Sequence, residues 1–182
     1  TDNPYRKPIP CIQLLHCLEN EVKGGLSTLV DGFAVAEYLK KNNHDLFKIL
    51  TETKVRFRFV DKTIILENWG ELIELDQEKR IKQVRYSTRL DYVPAFEKIK
   101  LKKFYKARKL IANLYASKKF EIRFKLEKGD LLMMDNHRLL HGRTAYDLSE
   151  GKRYLKGCYI DHDSTEGKLR YLERKFKLKW KK

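Results

Sequence analysis

The chain has 182 residues, 42% of them apolar and 36% charged, the size of one domain able to bury roughly two-thirds of its unfolded surface. No apolar run approaches the ~20 residues of a membrane span, and Thr1-Asp2-Asn3-Pro4 lacks both the basic start and the apolar stretch of a signal peptide, so a soluble cytoplasmic domain with no membrane partner is expected. A net charge of +15 raises the question of polyanions, but the lysines gather in residues 98–103 and in the closing run 174–182 without any nucleic-acid-binding motif, so no nucleic-acid partner is expected. Cys11, Cys17 and Cys158 are scattered with no CxxC pair, a spacing that suggests neither a zinc site nor a disulfide framework and fits a reducing compartment.

Residues 9–18 read as a strand, followed by a Gly24-Gly25 turn and a short strand over 27–30. Asp31 is a suitable N-cap for a helix with Phe33, Val35, Ala36 and Leu39 on its apolar face. Asn42-Asn43 breaks that helix, and 44–50 predicts a second, shorter one. Residues 55–60 alternate with period two, as a half-buried strand does, and 63–66, 71–75 and 81–86 read as further strands. Over 96–116 the apolar residues Ile99, Phe104, Ala107, Leu110, Ile111 and Leu114 recur at helical spacing, which predicts the longest helix. Strands over 120–126 and 130–134 flank a Lys128-Gly129 turn, 152–160 is another strand, and a basic helix follows from Glu166. Many short strands with one long helical insertion predict a mainly β protein with helices, a jelly-roll or double-stranded β-helix core in a single domain over 1–182.

The chemistry concentrates in residues 135–143, where a Leu- and Met-rich strand ends in a polar cluster holding His137 and His141. Histidines four apart share a face on an unbroken helix, but Gly129 and Gly142 argue for strand and turn, where a turn separates the two directions, so one of the two points inward. A lone inward histidine is more often a hydrogen-bonded core residue than a ligand. Asp161, His162 and Asp163 read as a solvated strand end rather than a metal cluster, because neighbours on a strand face opposite ways.

Asp135-Asn136 followed by Leu139-Leu140-His141-Gly142-Arg143 resembles the distal-histidine motif of the γ-butyrobetaine dioxygenase family and, more loosely, of taurine dioxygenases. Thr1-Asp2-Asn3-Pro4-Tyr5 resembles the same family's His-Thr-Asp segment without its histidine. Gln13-Leu14-Leu15-His16-Cys17, Gly24-Gly25, Val30-Asp31-Gly32-Phe33, Arg153-Tyr154-Leu155-Lys156-Gly157, and Tyr159 with Asp161 and Asp163 are similar too. The resemblance runs to about residue 172 and is thinnest over 55–89.

The resemblance implies an Fe(II)- and 2-oxoglutarate-dependent hydroxylase of a small-molecule substrate, with ascorbate as reductant. It implies Asp2 and His141 as metal ligands in a two-histidine, one-carboxylate triad, an arrangement that leaves three corners of the iron open. The first histidine would precede Thr1, so the domain is expected to be truncated at its N-terminus, to lack its first strand or strands, and to be inactive as it stands. No catalytic residue is expected beyond the metal ligands. Arg153 would pair with the distal carboxylate of 2-oxoglutarate through two parallel hydrogen bonds; otherwise it is a surface arginine. Ser27 would bond the same cosubstrate, or only cap the local backbone. Tyr159 would offer an aromatic wall to a trimethylammonium group, or be a core tyrosine. Arg143 would lie near the metal, or pair with Asp135 or Asp147.

The family's trimethyl-substrate enzymes place an asparagine pair before an arginine in the middle strand, where this chain reads Val84-Arg85-Tyr86-Ser87-Thr88-Arg89. The dioxygenase reading is therefore better supported than γ-butyrobetaine as substrate. An exposed sheet edge would favour a homo-oligomer. The alternative from another class is a non-catalytic β-fold that binds an anionic ligand or polymer through its positive charge.

Overall fold

The computed structural model describes residues 1–177. In chain order the elements are β1 (Ile12–Asn20), β2 (Ser27–Asp31), α1 (Gly32–Asn42), α2 (His44–Glu52), β3 (Lys54–Val60), β4 (Ile65–Glu71), β5 (Ile73–Leu75), β6 (Ile81–Val84), β7 (Asp91–Tyr92), α3 (Lys98–Tyr115), β8 (Glu121–Phe124), β9 (Leu131–Asp135), β10 (Leu139–Arg143), β11 (Arg153–Ile160) and α4 (His162–Phe176). The part of the closing basic run beyond Lys177 lies outside the described residues.

Two three-stranded antiparallel sheets form the jelly-roll core, one ordered β11-β1-β9 and the other β10-β2-β8. In the first, Gln13 stands opposite both Tyr159 and Met134, so the three share a face. A bulge between Cys17 and Glu19 shifts the register so that Asn20 stands opposite Arg153, and the even spacing along β11 puts Arg153 on the face of Tyr159. In the second sheet, Val30 and Leu140 are opposite one another and buried towards the helices. Alternation turns Ser27, Leu29 and His141 to the other face, towards the first sheet.

The main apolar core lies behind that second sheet. There α1, α2 and α3 pack with the β4-β3-β7 and β5-β6 sheets around fully buried Leu39, Leu50, Phe57, Leu72, Ile73, Phe104 and Ile111. The carboxylate of Asp31 accepts from the Phe33 and Ala34 amides at 3.0 and 3.2 Å, which satisfies two donors at the start of α1. Alternation in β3 buries Val55 and Phe57, as its sequence predicts.

Several expected boundaries move for physical reasons. The first strand begins at Ile12 rather than at residue 9, because Pro8 and Pro10 have no amide to give a ladder. The strand expected over 71–75 is β5, from Ile73, and the one expected over 63–66 is β4, which runs from Ile65 on to Glu71. Its Gly70 leaves room for the Arg85 guanidinium, 3.0 Å from where a Cβ would stand. Ile99, placed on the apolar face of α3 by the sequence, is 82% exposed. It lies five residues before Phe104, about 140° round the helix from that buried side chain. Finally, α4 starts at His162, four residues before Glu166, so Asp161, His162 and Asp163 form a helix start and not a strand end. Among the described residues no helix is long and apolar enough to cross a membrane.

Candidate active site

Asp2 is held by its backbone as well as its side chain. Its amide donates to Asn136 Oδ1 at 2.7 Å, and Asn136 Nδ2 donates in turn to the carbonyls of Asp2 and Pro10 at 2.9 and 3.0 Å. Asn136 is fully buried, and Thr1 Oγ1 accepts from the Tyr86 amide at 3.2 Å. Buried hydrogen bonds to the turn after β9 thus hold this segment in place.

The Asp2 carboxylate lies between the two sheets. Its Oδ2 accepts from Gln13 Nε2 and from the Tyr159 hydroxyl, each at 2.7 Å. His141 Nε2 stands 3.6 Å from the same oxygen and 3.4 Å from Gln13 Nε2. Burial alone would raise the Asp2 carboxyl, but the Tyr159 bond, the facing imidazole and the Gln13 bond outweigh it and hold the group below the usual carboxylate range. Burial pushes the His141 imidazole down, against the smaller lift from Asp2. Burial and the Asp2 contact push the Tyr159 phenol well above its ordinary value, so it remains a donor. At neutral pH this gives an ionised carboxylate beside a neutral imidazole, each with a lone pair to give.

Such a pair suits a divalent cation. Donors about 2.1 Å from a shared ion stand about 3–4 Å apart, and the Asp2–His141 separation falls in that range. An amide N–H of Gln13, the positive end of a dipole, already points at both donors. Gln13 Oε1 and His141 Nδ1 are buried without a partner. Among the described residues no third His, Cys, Asp or Glu closes on the pair. A cavity of about 300 Å³ opens beside His141, walled by Thr28, Tyr86 and Tyr115.

Arg153 enters the same inter-sheet space from the far end of β11. Its side chain runs across Gly25, where a Cβ would fall 2.9 Å from Nε. Gly25 also has φ +66°, so both the backbone and the close approach require glycine there. The Arg153 guanidinium stands 5.4 Å from the ring of Tyr146, and that of Arg143 stands 4.5 Å from the same ring. Arg153 Nε is buried without a partner. Arg143 bonds the Thr144 carbonyl at 3.4 Å. It pairs with neither Asp135 nor Asp147, whose carboxylates accept from the amides of His137 and Ser149. Ser27 is buried two residues after Gly25, opposite Arg143.

The structure thus brings Asp2, His141 and Tyr159 into one cluster, and places Arg153 and Ser27 on the inward faces of the same two sheets. Sequence reasoning assigned no role to Gln13, although a glutamine inside Ile12-Gln13-Leu14-Leu15 is the signal of a polar group facing inward. It also missed Tyr146, which has no local signature.

The model of the taurine catabolism dioxygenase TauD, TfdA family matches residues 1–159, and the chain belongs to that family. It is 34% identical over 174 residues to the γ-butyrobetaine dioxygenase of Pseudomonas sp. strain AK-1, covering 96% of this chain and 45% of the relative. To the human γ-butyrobetaine dioxygenase it is 36% identical over 180 residues, covering 96% of this chain and 46% of the relative. The chain therefore spans less than half the length of these relatives. Its fold is similar to that of AAD-2, solved in complex with Mn(II) and N-oxalylglycine, with a TM-score of 0.69, 17% identity, and coverage of 87% of this chain and 66% of the other.

Proposed function

We propose that the chain supplies the carboxylate and one histidine of an Fe(II)- and 2-oxoglutarate-dependent hydroxylase that acts on a small substrate. One observation carries this reading: Asp2 Oδ2 and His141 Nε2, from opposite ends of the chain, stand 3.6 Å apart in the space between the jelly-roll sheets. Asp2 and His141 would hold the iron, which when bound activates dioxygen while 2-oxoglutarate is decarboxylated to succinate and carbon dioxide. Tyr159 and Gln13 fix Asp2 Oδ2 from two sides, so the carboxylate need not reorganise on loading. Arg153 offers its planar fork to the distal carboxylate of 2-oxoglutarate, with Ser27 alongside. The Tyr146 ring lies 5.4 Å from that fork, and the unpartnered Nε of Arg153 marks a donor in want of an acceptor.

The substrate class follows from the same residues and the relatives. γ-Butyrobetaine or a related trimethylammonium compound fits the ring of Tyr159 beside the metal donors. Arg85 stands in the segment where the chain departs from the trimethyl-substrate pattern, and it takes no part. Its guanidinium is buried against Glu74 and the Glu71 carbonyl. A homo-oligomer is also proposed, since Leu131, Met133 and Tyr154 are exposed on the outer face of the β11-β1-β9 sheet. Sedimentation as a monomer at high concentration would remove that point. Free Cys11, Cys17 and Cys158 fit a cytoplasmic setting.

The test is succinate formation with Fe(II), ascorbate and γ-butyrobetaine or trimethyllysine. Because the described residues supply two protein donors, residues 1–182 alone are expected to turn over little, and a histidine placed immediately before Thr1 is expected to raise turnover. Robust turnover by residues 1–182 would show the triad to be misplaced. An unaffected His141→Ala variant, or no metal-dependent 2-oxoglutarate binding with the added histidine, would remove the enzyme reading. Anion binding that needs no metal and weakens steeply with salt would favour the non-catalytic alternative.

A further inference from the structure

At one end of the β11-β1-β9 sheet a second set of metal-binding side chains comes together, separate from Asp2 and His141. Cys11 precedes β1, Asp135 ends β9, and His137 stands in the turn to β10; their ligand atoms lie within 4.8 Å of one another. The chain spacing of the cysteines shows nothing of this, because the sheet register assembles it. Ile12 stands opposite both Asp135 and Ile160, and the Asn136 amide donates to the Cys11 carbonyl at 2.7 Å.

Two of these groups are oriented as metal ligands are. His137 Nε2 lies 3.1 Å from the Ile9 carbonyl. A carbonyl only accepts, so Nε2 carries the proton and Nδ1 keeps its lone pair. Asp135 Oδ1 accepts from the His137 amide at 2.8 Å, which fixes the carboxylate and leaves Oδ2 to bind.

The helix α4 brings a further imidazole. His162 lines the same cleft as Cys11, Asp135 and His137. Its Nδ1 lies 3.3 Å from Glu166 Oε1, which leaves Nε2 for a metal; His162 stands outside the 4.8 Å cluster, so ligation would draw the start of α4 inward. Glu166 is near enough to bear on the Cys11 thiol. No residue of α4 is buried, so apolar packing does little to hold this helix to the sheet.

Of the cations along the cleft, Lys82 and Arg85 are tied to Glu74. Arg6 and Lys7 remain, against the carboxylates of Asp135 and Glu166. Burial and those carboxylates keep Cys11 a thiol until a metal displaces its proton. One thiolate, one carboxylate and two imidazoles form a borderline-soft set that suits Zn²⁺ or Co²⁺ rather than Mg²⁺ or Ca²⁺.

We propose that Cys11, Asp135, His137 and His162 form a second site, for a zinc-type divalent ion, that fastens α4 to the end of the sheet. On binding, the Cys11 S–H bond breaks, its proton passes to solvent and sulfur bonds the metal; no electron is transferred.

The test is a Co(II) titration of an Asp2→Ala/His141→Ala chain, in which the other metal pair is removed. One equivalent of Co(II) is expected to give a near-ultraviolet thiolate-to-cobalt band, and Zn(II) should displace it. Cys11→Ser should abolish the band, while His137→Gln and His162→Gln should each weaken binding about tenfold or more. The band should persist in Cys17→Ser/Cys158→Ser, where Cys11 is the single thiol; this variant gives the answer if Cys11→Ser does not fold. Zn(II) should also slow amide exchange in α4 of the unaltered chain, reversibly with a chelator. No band in the Cys11-only chain, or a band that survives Cys11→Ser in a folded protein, overturns the site. Affinity and α4 exchange both unmoved by His162→Gln overturn the fastening of α4.

Discussion

The helix-backed half of the molecule and the space between the two jelly-roll sheets draw on the same alternating strands, yet they bury different mixtures of side chain. Behind the β10-β2-β8 sheet the fully buried groups are Leu39, Leu50, Phe57, Phe104 and Ile111. In front of it Gln13 and Ser27 are buried beside Met134, with Asp2, His141 and Arg153 half-buried. Three polar atoms there, Gln13 Oε1, His141 Nδ1 and Arg153 Nε, have no partner within the chain. A buried polar atom left unpaired costs about 1–3 kcal/mol. The helix-backed half leaves Thr53 Oγ1, Arg56 Nε, Arg58 Nε, Gln83 Nε2 and Arg85 Nε unpaired as well, so what sets the front apart is that its unpaired atoms share one space with a buried carboxylate and imidazole.

The largest effect that can break this comparison is Phe104→Ala. A fully buried aromatic ring in the helix-side core should cost about 3–5 kcal/mol, read as a lower urea midpoint at unchanged slope. His141→Ala should cost under about 1 kcal/mol in the same measurement, since it also removes an unpartnered Nδ1. Equal losses from the two variants would mean that the inter-sheet space is ordinary core.

Next in size is Arg153→Lys, which keeps the charge and loses the planar fork. Metal-dependent 2-oxoglutarate binding should weaken about tenfold or more, the loss of one charge-assisted bond of about 1.5–3 kcal/mol. The urea midpoint should move by less than about 0.5 kcal/mol equivalent. An affinity unchanged in Arg153→Lys would take Arg153 out of the cosubstrate site.

The two regions also differ in how far the sequence discloses them. Local rules suffice for α1, where Asp31 caps and Val35, Ala36 and Leu39 repeat, and for β3, where Val55 and Phe57 alternate inward. The glycines around residues 135–143 likewise separate His141, on a strand, from His137, in a turn. The meeting of Asp2, Gln13, Tyr159 and His141 is not local at all. It depends on Gln13 standing opposite Tyr159 in one sheet and on that sheet facing another. Family resemblance could name Asp2 and His141, but nothing in the residue pattern could tell that Gln13 and Tyr159 would grip the same oxygen. The cluster of Cys11, Asp135 and His137 stayed hidden for the same reason.

A smaller effect sharpens the comparison at the joint between the two halves. Asp31 ends β2 and caps α1, and Arg138 reaches it from the turn before β10 with bonds of 2.6 and 3.1 Å. Asp31→Ala should cost about 1 kcal/mol. The Arg138 hydrogen bond, opposed by burial and helped by the capped amides, holds this carboxyl below its usual range. A lowered folded-state value means that the contribution is present above the ordinary carboxylate range and lost as pH falls through the lowered one. The acid limb of the stability profile should therefore be shallower in Asp31→Ala, and identical limbs would show that the cap adds nothing.

The smallest effect concerns the edge of the apolar core, where sequence and structure disagree. Periodicity counts Ile99 with Phe104, Ala107 and Ile111, yet the buried residues of α3 are Phe104, Ala107, Ile111 and Tyr115. Their spacing of three and four keeps one face against α1 and α2, whereas Ile99 lies five residues upstream and points to water. Ile99→Gln should then change stability by no more than about 0.5 kcal/mol, as exposed substitutions do, with glutamine at least as good a helix former as isoleucine. Urea denaturation at two protein concentrations makes the measurement decisive. A loss near 2 kcal/mol at both would mean that the first turn of α3 packs on its own chain, and the face assigned to this helix would be wrong. A loss that appears only at the higher concentration would place Ile99 in a contact between copies, apart from the exposed face of the β11-β1-β9 sheet proposed for that role.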